Sequence, residues 1–258
     1  MPSALPSLSV VLVSVDDARY ASVSVEYERT FSDWPHECIR IKGARSMYDG
    51  YARGYAQARG EIVVFSHDDI RFATADFAAR LARAMTESDM VGIAGTTRVS
   101  GPALLWSGHP YLFGTVTHKA DVEPDYEFSI MSLKGPLIRQ AQGLDGVFIA
   151  VRRALVERIG FDQERFTGFH FYDLDFSYRA HLAGARISIA SDLALIHKSR
   201  GPIDSHWLEA QKVFAGKFAF PNLPPGKDRH WYAVRLPDSD AVSEMYAKLF
   251  AAWSLKLI

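Results

Sequence analysis

Four short apolar runs recur through the first hundred residues, and each is separated from the next by a stretch long enough to form a helix. Strands are predicted at Leu8 to Val15, Cys38 to Ile41, Ile62 to Phe65 and Val91 to Ala94, with helices near Ala18 to Phe31, Ser46 to Ala58 and Thr74 to Thr86. Strands alternating with helices are joined by crossovers rather than hairpins, so the pattern implies a parallel, doubly wound α/β sheet with helices on its faces. Ile62, Val63, Val64 and Phe65 carry no polar group, as expected of a strand buried on both sides. Ligands of such sheets bind beyond the carboxyl ends of the strands.

The run that matters most is Gly60 to Arg71, G-E-I-V-V-F-S-H-D-D-I-R, because its apolar core ends abruptly on Asp68 and Asp69. Adjacent carboxylates repel each other and are costly to desolvate, and a divalent cation offsets both effects. A metal and a polyphosphate are therefore the first ligands to consider. The competing reading is a helix cap, in which one of the acids accepts from free amides near Ile70 to Thr74.

The rest of the chain is compatible with one soluble α/β domain. A formal net charge of -1 argues against a nucleic-acid footprint, and Arg152, Arg153 and Arg158 read as a solvated helix face. Cys38 is the only cysteine, so neither an intramolecular disulfide nor a cysteine-rich zinc site is available, which fits a reducing, cytoplasmic setting. Leu8 to Val15 is too short to span a bilayer, has no basic leader and runs into Asp16 and Asp17. No other long apolar segment, low-complexity tract or repeat is present.

From Ala103 to Arg139, aromatic and β-branched residues broken by Gly108, Gly114 and Pro124 suggest hairpins or an insert over the site. Helices are expected from Arg152 to Ile159 and from near Tyr172. Two short strands with a turn at Ser191 and Asp192 are expected between Arg186 and Ile196. A helix through Trp207 and Phe218, a Pro-rich loop and a closing helix from Ser239 complete a helical tail. Lys198 to Pro202 and part of the insert are expected to open and close over a site that must exclude water.

Two stretches carry a family resemblance. Ser46 to Ile70 (SMYDGYARGYAQARGEIVVFSHDDI) resembles the region through the D-x-D-type motif of family 2 glycosyltransferases, nucleotide-sugar-dependent enzymes of GT-A fold. Leu144 to Gly201 resembles the acceptor half of the same family: a Gly-containing strand, an R-R-x-L-x-x-x-x-G-F-D turn, a carboxylate-rich helix start and a late His follow in that order. With His67 before the acids, the streptomycin-biosynthesis-like branch is the nearest fit. The resemblance implies a GT-A-like domain over residues 1–201, with the donor half at about 1–100 and the acceptor half at about 101–201. The tail, residues 202–258, would pack on it.

By position, the resemblance implies that Asp69 and His197 hold Mn²⁺ or Mg²⁺, that Asp68 contacts the donor ribose, and that Asp173 is the base that deprotonates a hydroxyl acceptor in an inverting transfer. Ser14, Asp16 and Arg45 are implied donor contacts, although Asp16 or Asp17 equally suits the cap of the first helix. Asp145 and Gly146 are implied to let the acceptor sugar or the donor diphosphate approach the backbone, with Asp145 contacting the donor sugar, where a turn or hairpin is the plain alternative. Lys198 and Arg200 are implied to neutralise the leaving diphosphate. Tyr172 replaces the usual first acid beside Asp173. Asp175 diverges from Asp173 by about 200° on a helix and is free to cap or to pair with Arg179. Two other classes remain open at this point. One is an inactive nucleotide-binding scaffold of the same fold; the other is a zinc hydrolase built on His67, Asp68, Asp69 and His197.

Overall fold

The computed structural model describes residues 5–101, 110–120, 125–132, 134–201, 203–218, 220 and 232–256. The first part alternates as expected through β1 (Leu8–Val13), α1 (Asp17–Thr30), β2 (His36–Ile41), α2 (Met47–Tyr55) and β3 (Ile62–Ser66); an unforeseen β4 (Ile70–Phe72) then precedes α3 (Phe77–Glu87), and the strand expected at Val91 to Ala94 is split into β5 (Met90–Gly92) and β6 (Ala94–Thr96), which lie in different sheets. The insert contributes β7 (Leu112–Lys119), β8 (Tyr126–Ser132) and β9 (Leu137–Arg139), followed by β10 (Gly143–Leu144), β11 (Phe148–Arg152), α4 (Arg153–Ile159) and α5 (Tyr172–Leu182). After β12 (Ile187–Ala190) and β13 (Leu195–His197), the tail adds α6 (Ser205–Lys217), β14 (Tyr232–Leu236) and α7 (Ser239–Ser254).

The central sheet has the order β2-β1-β3-β11-β5-β12-β9. Five of its strands run one way, and β11 and β9 run against them. Side chains alternate between its faces as the pleat demands. Val11, Val63, Phe65, Ile149 and Val151 pack under α2, α4, α5 and α6, while Val10, Leu12, Ile62, Val64 and Phe148 pack under α1 and α3. The result is a mixed α/β domain around one central sheet. The reversed β11 was not foreseen. It brings its amino end, Phe148, opposite Ser66 at the carboxyl end of β3, so the residues just before β11 reach the same sheet edge as Asp68 and Asp69.

A second sheet, β10-β6-β7-β13-β4, carries β8 on β7 and β14 on β8. The two strands expected between Arg186 and Ile196 form, but they belong to different sheets, because the turn at Ser191 and Asp192 is where the chain crosses from one to the other. Asp192 is buried there between Arg80 and Arg83, at 3.1 and 2.6 Å. The tail is not purely helical: β14 extends the insert hairpin by pairing with β8, and α7 closes a third cluster around Phe128, Ile196 and Tyr246. The Pro-rich loop and parts of the Ala103 to Arg139 insert and of the Lys198 to Pro202 loop lie outside the described residues. Among the described residues, no helix is long and apolar enough to cross a membrane.

Candidate functional site

The chain leaves β3 through a turn whose backbone is fixed from two sides. His67 N donates to Val147 O at 3.1 Å and Lys198 N donates to Asp69 O at 3.0 Å, while His197 is paired with Ile70 in the β13–β4 ladder. Residues 70–72 are therefore strand, and α3 starts only at Phe77 behind Asp76, so the reading of Asp68 or Asp69 as a helix cap has no helix to serve. These backbone bonds bring three side chains together. His67 Nδ1 lies 3.1 Å from His197 Nε2, and that same nitrogen lies 3.2 Å from Asp69 Oδ1. Ligand atoms of the three residues fall within 4.8 Å of one another.

Burial pushes the Asp69 carboxyl up, but the hydrogen bond and charge of His197 outweigh it and hold the group below the usual carboxylate range. Burial, aided by the adjacent His197, holds His67 below the ordinary imidazole value. An ionised Asp69 and a neutral His67 are the forms in which those two side chains can serve a cation. The donor set of two imidazole nitrogens and one carboxylate oxygen fits a first-row divalent cation, and suits Mn²⁺ or Zn²⁺ better than Mg²⁺, which prefers oxygen throughout. On its other side, His67 Nε2 lies 2.8 Å from the hydroxyl of Tyr172, which in turn is 3.5 Å from Gly146 O. With the hydroxyl hydrogen on the Gly146 side, the Tyr172 oxygen accepts from Nε2–H and leaves the Nδ1 lone pair facing His197 and Asp69.

The start of α5 faces this cluster because of an unusual residue. Phe171 precedes the helix with φ 61°, in the left-handed region, which a bulky side chain adopts only when its surroundings enforce it. Here its ring is held at 5.1 Å from Trp207 and 5.7 Å from Phe214. The turn presses Tyr172 and Asp173 onto Gly146, where an added Cβ would sit 2.3 Å from the Tyr172 hydroxyl and 2.9 Å from Asp173 Cβ. Asp145 and Gly146 do not form a hairpin, since β10 and β11 lie in different sheets; instead Asp145 Oδ1 accepts from Val147 N at 3.0 Å. Burial, with the Asp145 carboxylate beside it, raises the Asp173 carboxyl to about 7. Asp175 points the other way. It is fully buried and accepts from Tyr48 Oη at 2.6 Å, Arg179 Nε at 2.8 Å and Lys217 Nζ at 2.6 Å.

A cavity of about 530 Å³ joins these parts, and His67, His197, Asp145, Gly146, Asp173 and Arg200 line it. Asp69 is buried behind His197, and Asp68 is partly exposed beside it. Ser14, Asp16 and Arg45 do not line the cavity. Ser14 is buried and donates to Asp16 O at 3.1 Å. Asp16 caps α1 through Ala18 N and Arg19 N, and Arg45 reaches into solvent with Asp49 at 3.2 Å. Lys198 lies with Arg71 and Lys119 in a separate recess, and Arg200 is met by Glu127 at 2.7 Å. Sequence reasoning missed His118, whose ring is 5.4 Å from His197. It sits on β7 in the insert, next to His197 in the ladder, and no motif marks it.

Residues 9–217 match the model of a glycosyltransferase-like family. Among solved structures, the chain is similar to a mannosyltransferase from Pyrobaculum calidifontis in complex with GDP-Man and Mn²⁺, at 15% identity over 80% of this chain and 60% of that one, TM-score 0.44. It is also similar to GalNAc-T7 with UDP, GalNAc and Mn²⁺, at 10% identity over 76% of this chain and 44% of that one, TM-score 0.47. Residues 1-349 of TarS from S. aureus are 15% identical over 97% of this chain and 72% of that one, TM-score 0.48. The chain thus spans 60% and 44% of the length of the first two. No curated protein matches the sequence.

Proposed function

The chain belongs to the glycosyltransferase-like family, and from that premise we propose that it moves a sugar from a nucleoside diphosphate donor to a hydroxyl acceptor with inversion, in a metal-dependent reaction. The observation that carries this reading is the meeting on one cavity of His67 and His197, which cluster with the buried Asp69, and of Asp173, a carboxyl raised to about 7. A divalent cation held by those three side chains, Mn²⁺ by its donor set, would supply positive charge to the departing diphosphate. Asp173 takes the proton of the acceptor hydroxyl, and its value near neutrality is matched to that task. The acceptor oxygen bonds to the anomeric carbon as the bond to the diphosphate oxygen breaks; the electron pair leaves with the diphosphate and the proton stays on Asp173.

The remaining assignments follow the family resemblance. Asp68 contacts the ribose, Asp145 the sugar, and Gly146 the donor at close range. Ser14, Asp16 and Arg45 serve the nucleotide end at the edge of β1 and α2, and Lys198 and Arg200 serve the leaving diphosphate. Residues 1–201 form the transferase unit, with donor and acceptor halves meeting near residue 100, and residues 202–258 support it in a cytoplasmic protein. His67 before the acids is the ground for the streptomycin-biosynthesis-like branch. A carboxyl raised into the range of a working base favours an active enzyme over an inactive scaffold, and the family match disfavours a zinc hydrolase.

The test is a calorimetric titration of UDP, GDP, dTDP and CDP with Mn²⁺, followed by turnover of sugar nucleotides of the base that binds. One nucleotide is expected to bind in Mn²⁺ and to be released in EDTA. If none of the four binds in Mn²⁺, the proposal fails.

A further inference from the structure

The wall of the cavity says what kind of acceptor fits. Its titratable groups near the reacting centre, His67, His197, Asp145 and Asp173, belong to the transfer chemistry, and Arg200, the one guanidinium among the described lining residues, is already met by Glu127 at 2.7 Å. His170 is turned toward Asp204 at 3.9 Å. Much of the remaining wall is apolar, including Val116, Met131, Phe169, Phe171, Ile203 and Trp207.

Two of these stand at the mouth: Phe169 is 49% exposed and Ile203 is 68% exposed. Isolated exposed apolar residues are common, but two of them sharing one concave wall with an aromatic pair mark a binding surface. The pair is Phe171 and Trp207, with ring centroids 5.1 Å apart. A charged acceptor entering here would lose hydration against this wall and, outside the reacting centre, find no unpaired opposite charge among the described lining residues.

We infer that the acceptor is a neutral molecule whose reactive hydroxyl is carried on an apolar ring or chain, seated against Phe169, Ile203 and Trp207 with the hydroxyl directed at Asp173. The inference rests on the glycosyltransfer reading and adds the class of its second substrate. A polar sugar acceptor is the main competitor; it would draw on His118, Glu127 and Ser129 of the lining, whereas Phe169 and Ile203 offer it no side-chain hydrogen bond.

Three probes separate the cases: 2-naphthol, which is neutral and apolar; glucose, which is neutral and polar; and 2-naphthalenesulfonate, which is anionic. Titrated by calorimetry into the protein with Mn²⁺ and the nucleoside diphosphate that binds, 2-naphthol is expected to bind at least about tenfold more tightly than either of the others. Ile203→Glu and Phe169→Asp, both at exposed rim positions, are expected to weaken 2-naphthol by about fivefold or more and leave nucleotide affinity unchanged. If Phe169→Asp does not fold, Ile203→Glu alone decides. Tighter binding of glucose or of the sulfonate overturns the inference, and so does 2-naphthol affinity that neither substitution changes. When the nucleotide binds and any of these results is obtained, only the acceptor class is refuted. When no nucleoside diphosphate binds at all, the transfer reading fails first and the inference falls with it.

Discussion

The hydroxyl of Tyr172 occupies the far side of His67, 2.8 Å from Nε2, and a metal-binding imidazole takes its orientation from whatever its second nitrogen bonds. Tyr172→Phe removes that bond and keeps the edge-on ring contacts with Tyr48 and Tyr51. Mn²⁺ affinity measured by calorimetry is expected to fall by about ten- to hundredfold, the usual effect of losing such a partner, with little change in melting temperature. An unchanged affinity would show that His67 is not held in this way. Asp173 makes a second prediction, with two readouts. Only its ionised form accepts a proton, so kcat/KM should rise with pH up to about 7 and level off above it. A folded-state value above the usual 3.8 means that the native state holds this proton more tightly than the unfolded chain does. Stability is therefore lost as pH climbs from the ordinary carboxylate range through about 7. Asp173→Asn should cost about hundredfold or more in turnover and yet melt higher than the parent above neutral pH. A lower melting point there, or near-parental turnover, would refute the assignment.

At the scale of elements, α2 shows how a helix is seated by what it lacks. Gly50 and Gly54 face β1, and an added Cβ would lie 2.4 Å from a Val13 methyl and 2.2 Å from a Val11 methyl. Alanine at position 54 would gain about 1 kcal/mol in helix propensity. Overpacking against Val11 should outweigh this at about 1–3 kcal/mol, so Gly54→Ala is expected to lower the urea midpoint; a raised midpoint would mean that the helix has room to shift. The alternation of β1, β2, β3 and β5 with α1, α2 and α3 was legible because apolar periodicity reports burial directly; β4 was not. The direction of β11 was not. Phe148 to Val151 is as apolar as a parallel strand would be, and nothing in a buried strand's composition says which way it runs. The same gap hid β14, where four of the five residues are exposed and the strand is specified by its partner β8 rather than by its own pattern.

For the molecule as a whole, the buried Asp175 ties α2, α5 and α6 together through Tyr48, Arg179 and Lys217, and Lys217 continues to Asp162 at 2.5 Å. Asp175→Asn takes the carboxylate from the partly buried Arg179 and leaves Lys217 with Asp162 alone. It is expected to destabilise the fold by about 3–5 kcal/mol in chemical denaturation, without changing the pH dependence set by Asp173; a loss within experimental error would mean that the network is solvated. The separation of Asp173 from Asp175 was readable from helical geometry, and Asp69 and His197 from their order along the chain. His67 was grouped with Asp69 and His197 only in the zinc-hydrolase reading; the second role of Tyr172 and the neighbourhood of His118 were not readable, because they depend on which strands become adjacent. That adjacency also fixes a sequence of events in time. The partners His67 and His197 are 130 positions apart, and the later one arrives on β13, after both halves of the central sheet have been translated. A growing chain therefore presents Asp69 long before His197, and the three side chains of the cluster can meet only once β13 has been made.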